Sequence, residues 1–352
     1  MFHFPQPPLK LSRRFILIIL LALAYYGTAE ISRQVASTPQ SVTPIWPPDG
    51  IALAATFIYG YQVLPGVFLG SFLANIWAFF QGGNLNQALT SIVQVLAIAL
   101  GTTSGMGLGK YLLDTKIQRK NPLKKLDDLC KFLLFIGILT PAINATAGVF
   151  ALAIGNTVTW ANFGASWLTW WISNVSGIYI FTPALISWYE LFQPQTLNRL
   201  IQKAIFTFNK QSKKPVKLAW KLLLETRFVE ALSLLTIILL ISYISFSQDL
   251  HLEYMLIPCL VWAVIRFGQF GATNLISLVT MLAALGTVRG LGSFASEDIN
   301  ESLLRLQLFT VVIVVTNLSL MATLREKKKP LTTCANLNST SKKNHHNLNK
   351  AK

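Results

Sequence analysis

The sequence predicts an all-α fold: a polytopic integral membrane helix bundle of about eight to ten transmembrane helices. Three observations carry this. Of 352 residues, 53% are apolar and only 12% charged, about half the ~25% charge of a soluble domain and too little to cover a globule's surface. Apolar stretches near the ~20 residues needed to cross a hydrocarbon core recur along the chain. The period-2 alternation of a β-barrel is absent, and helices and closed barrels are the structures that satisfy every backbone group in lipid. An ordinary cytosolic enzyme, a disordered chain and a fibrous one are excluded.

Spans are expected near 13–31, 49–62, 64–80, 87–112, 130–154, 167–190, 228–246, 253–266, 270–289 and 303–324. The first follows a basic stretch (Lys10, Arg13, Arg14) and could pass for a secretory signal. Tyr25, Tyr26 and Glu30 follow instead of a small-residue cleavage site, so it reads as a retained helix. The stretches 49–62 and 253–266 are short, with Pro or Gly at their borders. Each either crosses fully or forms a half-helix or re-entrant segment, which leaves the count between eight and ten. In the fourth span, Gly101/Gly105 and Gly105/Gly109 are small-xxx-small pairs that admit another helix closely. They do not make a phosphate loop, because Ser104 stands where the first Gly belongs and Tyr111 follows Lys110. No internal repeat is evident by eye.

Charge supplies orientation and segmentation. The formal net charge is +16, and in a ten-span topology 27 of the 30 Lys and Arg fall on one side. Only Arg33, Arg289 and Arg305 lie opposite. The positive-inside rule then makes both termini cytoplasmic in a cell (inner) membrane. Within the basic loop 193–227, Leu197, Leu200, Ile201, Ile205 and Phe208 recur at helical spacing, which suits an amphipathic helix at headgroup level or a plain basic connector. Residues 1–325 form one membrane domain. Residues 326–352, rich in Lys, Asn, Ser and Thr, read as a basic disordered cytoplasmic tail.

Chemical machinery is sparse. Cys130, Cys259 and Cys334 form no CxxC, and four scattered histidines offer no metal site. No HExxH, GxSxG or carboxylate pair on one helical face occurs, so no catalytic residue, metal or cofactor is expected, and no nucleic acid. The dense block is Pro44-Ile-Trp46-Pro47-Pro48-Asp49-Gly50, then Gly60-Tyr61, then Pro65-Gly66 through Gly70 to Asn75. Two prolines break any helix before Asp49. Asp49 then begins a helix near the outer end of its span, where its carboxylate can meet free N–H groups. Trp46 sits at the outer interface, and Asn75, inside a span, needs buried partners.

These residues resemble the signature of the first MASE class of membrane-associated sensor domains, which stand at the N-terminus of bacterial histidine kinases and diguanylate cyclases. Three further stretches are similar to the family's pattern: Trp170-Trp171-Ile-Ser-Asn174-Val-Ser-Gly177 leading to Thr182-Pro183; Pro258 through Trp262 to Arg266-Phe267-Gly268; and Gly290-Leu-Gly292-Ser-Phe294 followed by Leu304 to Phe309. Together they cover roughly residues 12 to 326.

The resemblance implies a non-enzymatic sensor or binding module for an unidentified ligand or membrane signal in bacterial signal transduction. Its partners would be the lipid bilayer, a small-molecule ligand, and a separately encoded histidine kinase or diguanylate cyclase, since a short basic tail stands where the family places its transmitter. Expected ligand-binding residues are Trp46, Asp49, Asn75, Trp171, Asn174 and Arg289, with Arg266 in signal relay. A packing or anchoring role is open for each. The alternatives are a small-molecule transporter, for which Pro- and Gly-broken short spans speak, and an integral-membrane enzyme.

Overall fold

The structure is a computed structural model of the chain. It describes residues 10–35, 43–119, 121–196, 198, 202, 216–248, 250–297 and 299–350. The amphipathic helix expected within 193–227 lies mostly outside the described residues. The helices are α1 (Leu11–Val35), α2 (Pro47–Tyr59), α3 (Leu64–Phe79) and α4 (Leu85–Leu112), then α5 (Leu126–Ile154), which contains a π-helical stretch at Phe132–Ile136. After them come α6 (Phe163–Leu191), α7 (Val216–Ser247), α8 (Leu256–Val288) and α9 (Ile299–Lys350). No strand occurs among the described residues.

Among the described residues, seven helical stretches are long and apolar enough to cross a membrane. The 29-residue α6, with four Trp and four Ser, is not among the seven but packs between the others. Lipid-facing surface is plain on α1, where Phe15, Ile16, Ile19, Leu20 and Leu23 are exposed. Chains of apolar residues turned outward are the expected consequence of a solvent as apolar as the core.

Two of the seven stretches, Pro47–Phe79 and Glu253–Val288, double back on themselves. Along α4, positions 102 to 109 run beside α2 in the order Asp49 to Leu53, and beside α3 in the order Ser71 to Leu64. Helices α2 and α3 are therefore antiparallel, joined by a 3₁₀ turn at Gly60–Val63. In α8 the same happens at Gly268. Ser293 donates to the carbonyl oxygens of Ser245 and Leu250, so residues just outside both ends of α8 meet. A straight 33-residue helix would separate those ends by about 50 Å. Gly60 (φ 78°, ψ −164°) and Gly268 (φ 66°, ψ −152°) share one backbone conformation, a region essentially restricted to glycine.

The two short stretches read as spans are thus the descending limbs of hairpins. At 13 residues, α2 is about 20 Å long, short of the ~30 Å hydrocarbon thickness. The first limb of α8, 256–267, is shorter still. A repeat also emerges that the sequence did not disclose: long helix, short Pro-bearing limb, glycine pivot, returning limb, long helix. It runs once through α1–α4 and again through α7–α9.

The small residues of α4 pack inward. A Cβ on Gly101 would fall 2.4 Å from the Ala147 side chain, and one on Gly105 2.7 Å from the Thr140 carbonyl oxygen. The glycine run is a helix-packing seam between α4 and α5, as the spacing predicts. At the opposite end of the bundle from Arg33, Lys124 pairs with Glu190 at 2.5 Å, while Gln269 accepts from Asn121 and Arg325. Helix α9 continues to Lys350, where a disordered tail is expected from composition.

Candidate functional site

The polar centre of the bundle is built around Asp49. Its carboxylate lies in the first turn of α2 and is fully buried. Rather than capping its own helix, it accepts hydrogen bonds from the Tyr25 hydroxyl (3.0 Å, α1) and Asn144 Nδ2 (2.9 Å, α5). The outer-end position expected from sequence is corrected here. Through Asn144, Asp49 sits level with Thr102, and each of those residues is ten positions, about 15 Å, from the nearer end of its helix. The chain before α2 dips into the bundle before the helix begins, which carries Asp49 inward.

The bonds around Asp49 form one continuous chain. Trp46 Nε1 donates to the Tyr25 hydroxyl at 3.4 Å, and that hydroxyl donates to Asp49. On the other branch, Asn144 receives at Oδ1 the hydroxyl of Thr102 (3.1 Å). Thr102 lies 3.2 Å from Ser71, which in turn accepts from Asn75 Nδ2 through its carbonyl oxygen at 2.8 Å and its hydroxyl at 3.4 Å. With the Thr102 hydrogen turned to Asn144, Ser71 is the donor to Thr102. Every bond then points toward the carboxylate. Buried chains of this kind polarise along their length, and this one ties α1, α2, α3, α4 and α5 together.

Both ends of the chain open on one cavity of about 280 Å³. Trp46 and Asn75 line it, and so does Asn174 of α6. Phe79 and Trp170, stacked at 6.4 Å with planes 11° apart, make an aromatic wall, with Val149 and Leu152 as aliphatic surface. Asn174 is buried at 1% exposure, and its Nδ2 has no hydrogen-bond partner among the described residues. Arg33, in the last turn of α1, is the single charged residue among the described lining residues, and it is paired with Glu30 one turn earlier.

Close approach of α2 and α6 fixes these walls. The Trp46 backbone N–H donates to the Ser173 carbonyl oxygen at 3.1 Å, and Thr182 donates to the Gly50 carbonyl oxygen at 3.0 Å. A Cβ on Gly177 would lie 1.9 Å from the Trp46 carbonyl oxygen. Only glycine at this crossing lets the two helices meet at backbone distance.

Of the expected ligand residues, Trp46, Asn75 and Asn174 gather at the cavity, and Asp49 stands behind it at the centre of the polar chain. Trp171 does not line it. Its indole donates to the Ile138 carbonyl oxygen (3.0 Å) and stacks on Trp167, while its neighbour Trp170 faces the cavity. Arg289 is exposed just past α8, away from the cavity. Arg266 pairs with Glu230 of α7 at 2.7 Å, beside Trp262, which donates to the same carboxylate. Sequence reading missed Arg33, Tyr25, Thr102 and Asn144. The last two carried a signal, as polar residues inside apolar spans. Among the described residues no cluster of His, Cys, Asp and Glu could hold a metal ion.

The chain is a polytopic helical membrane protein with a cavity of mixed polar and apolar lining at one end and a buried polar chain beneath it. The MASE1 family model matches residues 16–328, and the chain belongs to that family of membrane-associated sensor domains. No curated protein and no solved structure matches the chain.

Proposed function

We propose that this chain is the ligand-responsive part of a bacterial signalling system, with the cavity between α1, α3, α5 and α6 as its sensory site. Family membership supports a membrane sensing role. The observation that carries the site is that two residues of the cavity wall, Trp46 and Asn75, are the two ends of the hydrogen-bonded chain that holds Asp49. A ligand touching either end competes for a donor in that chain. It thereby changes bonds on five helices at once, which is the differential interaction a conformational signal requires.

In this reading both termini are cytoplasmic, and the cavity lies toward the opposite face. The far end of the bundle, where Arg325 of α9 reaches Gln269 beside the Gly268 pivot, is the output end. Its partner is a histidine kinase or diguanylate cyclase output module. No catalytic step is assigned to the chain.

The test is a thermal-shift screen of the protein in lipid nanodiscs against a small-molecule library, with Asn75→Leu and Asn174→Leu as reporters. Ligands of this site stabilise the native protein and lose that effect in both variants. If the stabilising compounds act equally on both variants, the cavity is not the sensory site.

A further inference from the structure

We infer that the cavity is built for a small monocarboxylate with an apolar or aromatic body. The inference rests on the sensory-site reading above and adds the chemistry of the ligand.

Donors are in surplus at this cavity. Arg33 brings a guanidinium with five N–H groups, of which the Glu30 contact engages Nη2. Asn174 brings a polar amide to the wall, its unpartnered Nδ2 lying beneath the surface rather than open to the cavity. No Asp or Glu stands among the described lining residues, so nothing on the wall repels an anion. The planar guanidinium fork matches a carboxylate in two parallel bonds.

Arg33, the single cation among the described lining residues, already has Glu30 as its counter-ion, so a ligand carboxylate meets it as a second, shared acceptor on the free N–H groups of the guanidinium, and a phosphate dianion would add a further uncompensated charge. The rest of the wall is not polar: Phe79, Trp170, Val149 and Leu152 ask for hydrocarbon or a ring. A volume of about 280 Å³ sits at the lower edge of the ~300–1,000 Å³ range of ligand pockets, which sets the size class as small.

The experiment compares three probes of one shape, phenylacetate, phenylacetamide and phenethylamine, together with a series of straight-chain monocarboxylates. Thermal shift and tryptophan fluorescence of the nanodisc-bound protein are the readouts. Carboxylates are expected to stabilise the protein and to quench or shift its fluorescence, the amide weakly and the amine not at all. Arg33→Gln is expected to weaken carboxylate binding at least about 30-fold, while Arg33→Lys, which keeps the charge without the fork, falls between.

Binding of the amide or amine as tight as the carboxylate overturns the ligand class, as does carboxylate binding unchanged in Arg33→Gln or no response to any carboxylate. If those neutral or cationic probes still depend on Asn75 and Asn174, the sensory site stands without the carboxylate. Carboxylate binding that ignores Asn75→Leu and Asn174→Leu removes the site itself.

Discussion

Replacing Gly268 by alanine isolates the backbone requirement of the second hairpin from any packing effect. At φ 66° and ψ −152° the residue occupies a region that costs an L-residue about 1–3 kcal/mol. A Cβ built there meets nothing within 4 Å, so no clash contributes. Alanine also narrows the unfolded ensemble, which returns about 0.4–1 kcal/mol. The net expectation is a loss of about 1–2 kcal/mol, roughly a five- to thirtyfold drop in the folded-to-unfolded ratio. Gly164→Ala is the matched control. Its Cβ also meets open space, but it lies in α6 without a positive φ, so alanine there should stabilise by roughly 0.5–1 kcal/mol. Titration with sodium dodecyl sulfate in mixed micelles, followed by far-UV circular dichroism, measures both. If Gly268→Ala proves as stable as Gly164→Ala, residue 268 is ordinary helix and α8 does not turn back.

Two other outcomes follow from the same geometry. Asp49→Leu removes the acceptor of Tyr25 and Asn144 and strands two buried donors, each worth about 1–3 kcal/mol; a loss of roughly 2–5 kcal/mol is expected by the same titration, and an unchanged midpoint would show that the polar chain does not hold the helices. Tyr61, 45% exposed at the turn between α2 and α3, and Leu291, 44% exposed just beyond α8, lie at opposite ends of the bundle. Single cysteines at these positions should react with a membrane-impermeant maleimide from opposite sides of sealed vesicles. Labelling from the same side would contradict the hairpin arrangement.

How much of this was legible in the sequence depends on how far apart the partners lie. The all-α membrane fold follows from composition, and the brevity of 49–62 and 253–266 already marks them as unusual. Trp46, Asn75 and Asn174 stand out because a polar or aromatic residue interrupting an apolar span needs a reason. What the chain could not disclose is depth and phase. Asp49 looks interfacial beside two prolines; only the partnership with Asn144, 95 residues away, shows that the preceding chain dips inward. Trp170 and Trp171 are neighbours, and the roughly 100° step of a helix sends one to the cavity and the other to the Ile138 carbonyl. Arg33 reads as a lone cation on the sparse side until the fold brings it to α6. Arg289 and Arg266, chosen for charge, end on exposed surface because nothing local says which cation meets the cavity. The repeat escaped notice because its halves share backbone turns at Gly60 and Gly268 rather than side chains.

The most direct measurement is the distance between spin labels at Gln118 and Lys327, two exposed positions at the end of the bundle remote from the cavity, by pulsed electron paramagnetic resonance. It is made in the native background and again with Asp49→Asn, which exchanges one acceptor oxygen of the polar chain for a donor. If the chain sets the packing of the helices that carry the signal, the variant shows a shifted distance or a second population while still folded. An identical distribution in the two backgrounds would mean that the buried carboxylate and the output end are not connected.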